Sequence, residues 1–201
     1  MPLPVPLPQA IRRSDATRNR ALLLKAAGSV LADRGLDFTV GEVARAAGVG
    51  KGTAFRHFPS KSALIDAVLE ERMQRTLADV RGFLDCEDAG LAFEQLATYT
   101  VQLLLRDRSL LEAMCAASGR SSDFEACRCE VDDVVEALLV RARDAGAIRP
   151  DLTPEDVKLL LLAVARAVPA TAGVVTETAW RRPLALVLDG MRACNSEPLP
   201  N

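Results

Sequence analysis

The chain is poor in aromatic residues. One Trp, one Tyr and six Phe make up 4% of its 201 residues. Its interior must therefore be built from Leu, Val and Ala, and a hydrophobic fraction of 49% is ample for that. Runs that alternate apolar with polar residues are nearly absent, which excludes a sheet-based fold and leaves an all-α one. A single histidine, His57, excludes a Cys-His metal site of the zinc-finger kind. Five cysteines form an odd number without framework spacing, and MPLPVPLP has neither the cationic region nor the apolar stretch of a secretory leader. Reduced thiols and a cytoplasmic location are expected. The longest apolar run, Leu159 to Ala165, is far too short to span a bilayer, so no membrane partner is expected. Walker-type glycine loops, G-x-S-x-G and H-E-x-x-H are all missing, and with them any sign of catalysis, cofactor or metal.

What is present is a lopsided charge. The net charge is -2, yet residues 1–61 hold ten Lys and Arg against four acids, a balance of +6, while the remainder carries -8. A cationic head on an acidic body suits a polyanion-binding module joined to a carrier.

Residues 1–13 are expected to be a disordered, proline-rich tail whose Arg12 and Arg13 reach phosphates. A helix over about 15–34 places Leu23, Ala26, Ala27, Val30 and Leu31 on one stripe and stops at Gly35. Thr39 and Glu42 form a T-x-x-E capping box that opens a brief second helix ending at Gly48. A third helix covers about 51–58 before Pro59. The fourth carries Ile65, Leu69, Met73, Leu77, Val80 and Leu84 at helical spacing. Five more helices are expected over about 88–106, 109–117, 122–145, 154–168 and 177–194, about nine in total. Thr153-Pro154-Glu155-Asp156 is a strong helix start, and Pro169 should kink or end that helix. The expected division is a tail over 1–13, a head over 14–60, a helical body over 61–195 and a polar tail over 196–201.

The run from Thr39 to Lys61, TVGEVARAAGVGKGTAFRHFPSK, carries the most chemistry. It reads as two short helices joined at a glycine turn, a wedge that fits a DNA major groove. Ala44 sits where the two helices cross, and Gly48 takes the left-handed turn. Val43, Ala47, Val49 and Phe58 make a small core. Lys51, Gly52, Thr53, Arg56 and His57 are left on the outer face of the third helix. Gly52, lacking a side chain, lets the helix start approach base edges closely, with backbone N–H groups aimed at phosphate.

This run resembles the TetR family of bacterial transcriptional regulators. The matching positions are Thr39, Glu42, Val43, Ala44, Ala47, Gly48, Val49, Gly52, Thr53, Phe55, His57, Phe58 and Lys61, and the clear likeness covers about residues 18–68. The resemblance implies that Thr39, Thr53, His57 and Lys61 touch phosphates. It places Lys51, Gly52 and Arg56 nearest the bases, with Arg45 at the groove edge. Arg56 is the favoured base reader, because Arg most often reads guanine. Many members have a phosphate-binding tyrosine where this chain has Phe55. Either Phe55 is purely core, or affinity comes from elsewhere, with Arg12, Arg13 and Arg18 as candidates.

The resemblance further implies a homodimer on a palindromic duplex operator, and a repressor released by a small apolar effector. The expected dimer seam comprises Leu159, Leu162, Trp180, Leu184, Val187, Leu188 and Met191. The expected effector pocket comprises Phe93, Leu96, Tyr99, Leu103, Met114 and Phe124, with Arg106 or Arg120 as polar anchor. Cys127 and Cys129, two apart on a helix, point to different faces and cannot share an ion. A second reading is a helical small-molecule-binding protein that no longer contacts DNA.

Overall fold

The computed structural model describes residues 9–107, 112, 121–170, 179–194 and 198–199, with side chains from residue 15 onward and excluding 168–170. Among the described residues there are eight α-helices and no strand. They are α1 (Gln9–Arg34), α2 (Val40–Ala46), α3 (Lys51–His57), α4 (Lys61–Gly82), α5 (Ala89–Arg106), α6 (Ser122–Asp144), α7 (Pro154–Ala170) and α8 (Arg181–Gly190). The all-α expectation holds. The helix expected over 109–117 lies almost wholly outside the described residues. The chain divides into two compact units, 1–71 and 72–201.

In the first unit, α1 buries Leu23, Leu24, Ala27 and Leu31. They pack in a core shared with Phe38, Val43, Ala44, Ala54, Phe58 and Leu64. Helix α1 begins at Gln9 rather than near Asp15. Pro8 is the last proline before it, and nothing in QAIRRS breaks a helix. Residues 9–13 are therefore helical, in contrast to the tail expected over 1–13. Gly35 and Gly48 have φ of +60° and +65°, the left-handed conformation that ends α1 and α2. Gly50, by contrast, has φ of -60° and needs no glycine's freedom.

In the second unit, α5, α6, α7 and α8 surround a core of Phe93, Ala97, Val101, Leu139, Leu161 and Trp180 with their neighbours. Each start has a side-chain cap where the sequence offers one. Asp88 accepts from Leu91 N at 2.9 Å and Ser121 from Phe124 N at 3.2 Å. Thr153 and Asp156 form a second capping box. Truncating such a cap costs about 0.5–2 kcal/mol. Four boundaries differ from the sequence reading, the first being the start of α8, which lies at Arg181 rather than near residue 177. Helix α7 runs one residue past Pro169. Helix α8 ends at Gly190 rather than at Cys194, because the backbone beyond it turns to pair with another segment. Arg149 N donates to Met191 O at 2.9 Å, and Ile148 and Arg192 form an antiparallel bridge. Leu84, expected on the stripe of α4, lies beyond it in a short 3-10 turn (Phe83–Asp85) and is exposed.

Candidate nucleic-acid interface

Helices α2 and α3 form the angle of the wedge because Ala44 and Ala54 are both buried and small enough to let the backbones approach. Val49 N donates to Ala44 O at 2.9 Å, which closes the turn. Val43 and Phe58 lock the pair onto the first-unit core. Arg20 lies over the Phe58 ring at 5.6 Å, a further anchor from α1.

Lys51 and Arg56 are exposed on α3, and Arg45 is exposed on α2. Among the described residues none of the three has a carboxylate within ion-pair distance. The stem of Lys51 runs beside Gly41. Arg56 Nη2 donates to Thr53 Oγ1 at 3.0 Å, which stands the guanidinium against the helix. His57 is half-buried and tilted against the Phe58 ring.

Gly52 is the most telling position. It is exposed, its φ is not positive, and a Cβ added there would meet nothing within 4 Å. Nothing inside the molecule asks for a glycine, although glycine within a helix costs roughly 0.5–1 kcal/mol relative to Ala.

Two expected phosphate contacts have other work. The Thr39 hydroxyl donates to Glu42 Oε2 at 2.8 Å and accepts from Glu42 N at 3.2 Å. These bonds, with one from Thr39 N to the same carboxylate, hold the Glu42 carboxyl below its ordinary value. Through these bonds the Thr39 hydroxyl starts α2. Lys61 Nζ donates to the carbonyl of Leu36 and sits 4.9 Å from the Phe38 ring centroid, tying down the loop before α2. Phe55, for which the sequence offered either a purely core role or affinity supplied elsewhere, is 42% exposed on α3. It is not core.

In the second unit, a pocket of about 370 Å³ lies among α4, α5, α6 and α7, and Leu96 and Leu103 line it. Of the other expected effector residues, none of those described is among the lining of this pocket. Phe93 packs in the core and also lines a separate pocket of about 290 Å³, and Phe124 is fully buried. Tyr99 donates its hydroxyl to Asp79 at 2.7 Å and packs edge-on against Phe83; its partial burial, followed by the bond to Asp79 and that carboxylate's charge, holds the phenol well above its ordinary pKa. Met114 and Arg120 lie outside the described residues, and Arg106 is exposed and not among the lining residues. On α5 the residues at 93, 97 and 101 face the core, whereas 96, 100, 103 and 104 face the pocket. Sequence reasoning missed Thr76 and Thr100 of the lining. Their signal is a polar residue at an inward position of an otherwise apolar helix.

The expected seam splits in the same way. Trp180, Leu184 and Met191 are buried within the single chain and present no surface. Val187 and Leu188 are half-buried against the same core, and Leu162 packs beside Leu104 and Ala165. Leu159 of α7 is 57% exposed, and Leu186 of α8, absent from the expected set, is 66% exposed.

Two short helices set at a glycine turn, one carrying unpaired cations on its outer face, define a helix-turn-helix DNA-binding module. Residues 23–68 match the family described as bacterial regulatory proteins, tetR family. Residues 88–193 match the C-terminal domain described as transcriptional regulator SbtR-like. The chain belongs to the TetR family of transcriptional regulators. It is similar to the HTH-type transcriptional regulator SAR0097 of Staphylococcus aureus, at 30% identity over 79 residues, 38% of this chain and 41% of that one. The match thus spans less than half of that curated relative. A TetR transcription regulatory protein from Mycobacterium vanbaalenii superposes with a TM-score of 0.63 at 31% identity, covering 90% of this chain and 98% of that one. FadR of Bacillus subtilis, solved in complex with stearoyl-CoA, shares the fold at 16% identity with a TM-score of 0.68, covering 86% of this chain and 99% of that one. The chain is thus a DNA-binding regulator rather than an enzyme. Among the described residues no helix is long and apolar enough to cross a membrane.

Proposed function

We propose that this regulator binds a palindromic duplex operator as a homodimer, represses from it, and leaves it when a small molecule fills the pocket of the second unit. The observation that carries DNA reading is the outer face of α3. Gly52 has no internal reason to be glycine, and Lys51 and Arg56 flank it unneutralised. Arg56 reads a guanine edge, and Phe55, apolar and exposed, contacts a thymine methyl or a sugar. Lys51, Thr53, His57 and Arg45 contact the backbone, which fixes register without sequence information. Thr39 and Lys61 act by holding α2 and its preceding loop.

A two-fold protein reads a two-fold site, and isologous pairing uses one patch twice. The exposed faces of α7 (Leu159, Leu160, Ala163) and α8 (Ala185, Leu186) supply that patch. The pocket supports effector control, and a fold neighbour solved with stearoyl-CoA supports a ligand site in this architecture. Release follows if the ligand binds one spacing of the two heads better than the other. The protein works in the cytoplasm, where its DNA is.

The test is selection of bound duplexes from a random pool by the full-length protein. An inverted repeat with half-sites about one or two helical turns apart is expected. Enrichment of a lone half-site would overturn the dimeric reading, and no enrichment would favour a ligand-binding protein without a DNA target.

A further inference from the structure

The polar side chains of the pocket in the second unit are, Lys158 apart, hydrogen-bond acceptors. Its floor is apolar and buried, formed by Val80, Leu96, Leu104, Val131, Val157 and Leu161. Two hydroxyls interrupt it. Thr76 Oγ1 donates to Arg72 O at 3.0 Å and Thr100 Oγ1 donates to Leu96 O at 2.8 Å, each within its own helix. With those bonds in place each hydroxyl keeps lone pairs that can accept from an occupant.

The opening is carboxylate-rich. Asp132, Asp133, Glu136 and Glu155 line the pocket and are exposed, against one ammonium, Lys158. Arg128 pairs with Asp132 at 2.9 Å and Arg143 with Glu136 at 3.3 Å, so two of the four acids are partly neutralised. Asp133 and Glu155 have no ion-pair partner among the described residues. Partial burial, followed by the charges of Asp133 and Glu155, drives the Asp132 carboxyl above its ordinary value against the pull of Arg128 and Lys158. The site therefore holds surplus negative charge beside an apolar cavity, where attraction and repulsion are stronger than in open water. Every lining polar group except Lys158 accepts hydrogen bonds.

We propose that the effector is an apolar cation, a small hydrocarbon-rich molecule bearing a protonated amine or amidine that donates to Asp133 and Glu155 at the opening. This rests on the reading of the pocket as the effector site and gives it a charge sign. An anionic effector of the same size is excluded by the same carboxylates.

The probes are octylammonium, octanol and octanoate, which share one chain and differ in head charge. Each is titrated calorimetrically into the full-length protein at neutral pH. Octylammonium is expected to bind at least tenfold more tightly than octanol, and octanoate most weakly. The double variant D133N/E155Q, altered at two exposed positions, should bring octylammonium down to the octanol level and leave octanol unchanged, with an unchanged melting temperature as the control for folding. Octanoate binding as tightly as octylammonium, or a cation preference that survives the double variant, overturns the charge assignment while octanol binding keeps the pocket. Failure of all three probes to bind overturns the pocket reading itself.

Discussion

Arg56 Nη2 and Thr53 Oγ1 stand 3.0 Å apart, one turn of α3 from each other, so among the described residues this exposed guanidinium of the wedge bonds to a neutral hydroxyl. A neutral tether orients the fork without cancelling its charge. Arg56→Ala should therefore weaken specific binding by about 1–3 kcal/mol and relax selection at one base position, while non-specific binding changes little. Fluorescence anisotropy on the selected operator and on a one-base mutant, with melting as the folding control, reads both effects.

Gly52→Ala separates stability from function. No atom lies within 4 Å of the new Cβ, and the helix gains a better former. Stability should rise by about 0.5–1 kcal/mol. Operator affinity should fall, because the added methyl stands on the closest-approach surface. A rise in both quantities would show that α3 meets the groove elsewhere.

The two capping boxes give an acid limb. Thr39 bonds lower the Glu42 carboxyl, and Thr153 bonds lower that of Asp156. A depressed folded-state value contributes stability above the ordinary carboxylate range and loses it as pH falls through the folded value. Urea midpoints should hold from pH 7 down to that range and then decline. Glu42→Gln should flatten the decline in the first unit, because a neutral amide still accepts from Thr39 N but no longer titrates.

The proposed pairing face predicts an assembly change without unfolding. Leu159→Glu with Leu186→Glu places charges on the exposed faces of α7 and α8. Sedimentation should shift from dimer to monomer with helical content retained. By contrast Leu184→Ala, in the chain's own core, should cost about 2–5 kcal/mol of stability.

How far the sequence could be read depended on whether the signal was local. The wedge was legible because its determinants lie within some twenty consecutive residues. The cap at Thr39, the turn at Gly48 and the buried Ala44 are each set by near neighbours. The second unit was legible as helices but not as faces. Leu184 and Met191 share an apolar stripe that sequence alone cannot assign to a core or to a partner. The structure puts them inside, beside Trp180, and turns Leu186 outward. Phe93 and Leu96 are three residues apart on α5, yet one enters the core and the other the pocket. That choice depends on where α6 and α7 pack, which is set by contacts distant in sequence. Thr39 is a further case, because its hydroxyl suits a phosphate and a helix start equally well, and the observed bonds show the second.

The central claim is that the cationic head grips duplex phosphates through α2 and α3. Its most direct measurement is the affinity for the selected operator as a function of salt. With six or so phosphates contacted, log K should fall with log salt at a slope of roughly -5, and Lys51→Ala should reduce that slope by about one. A slope near zero, or one that Lys51→Ala leaves unchanged, would contradict the account.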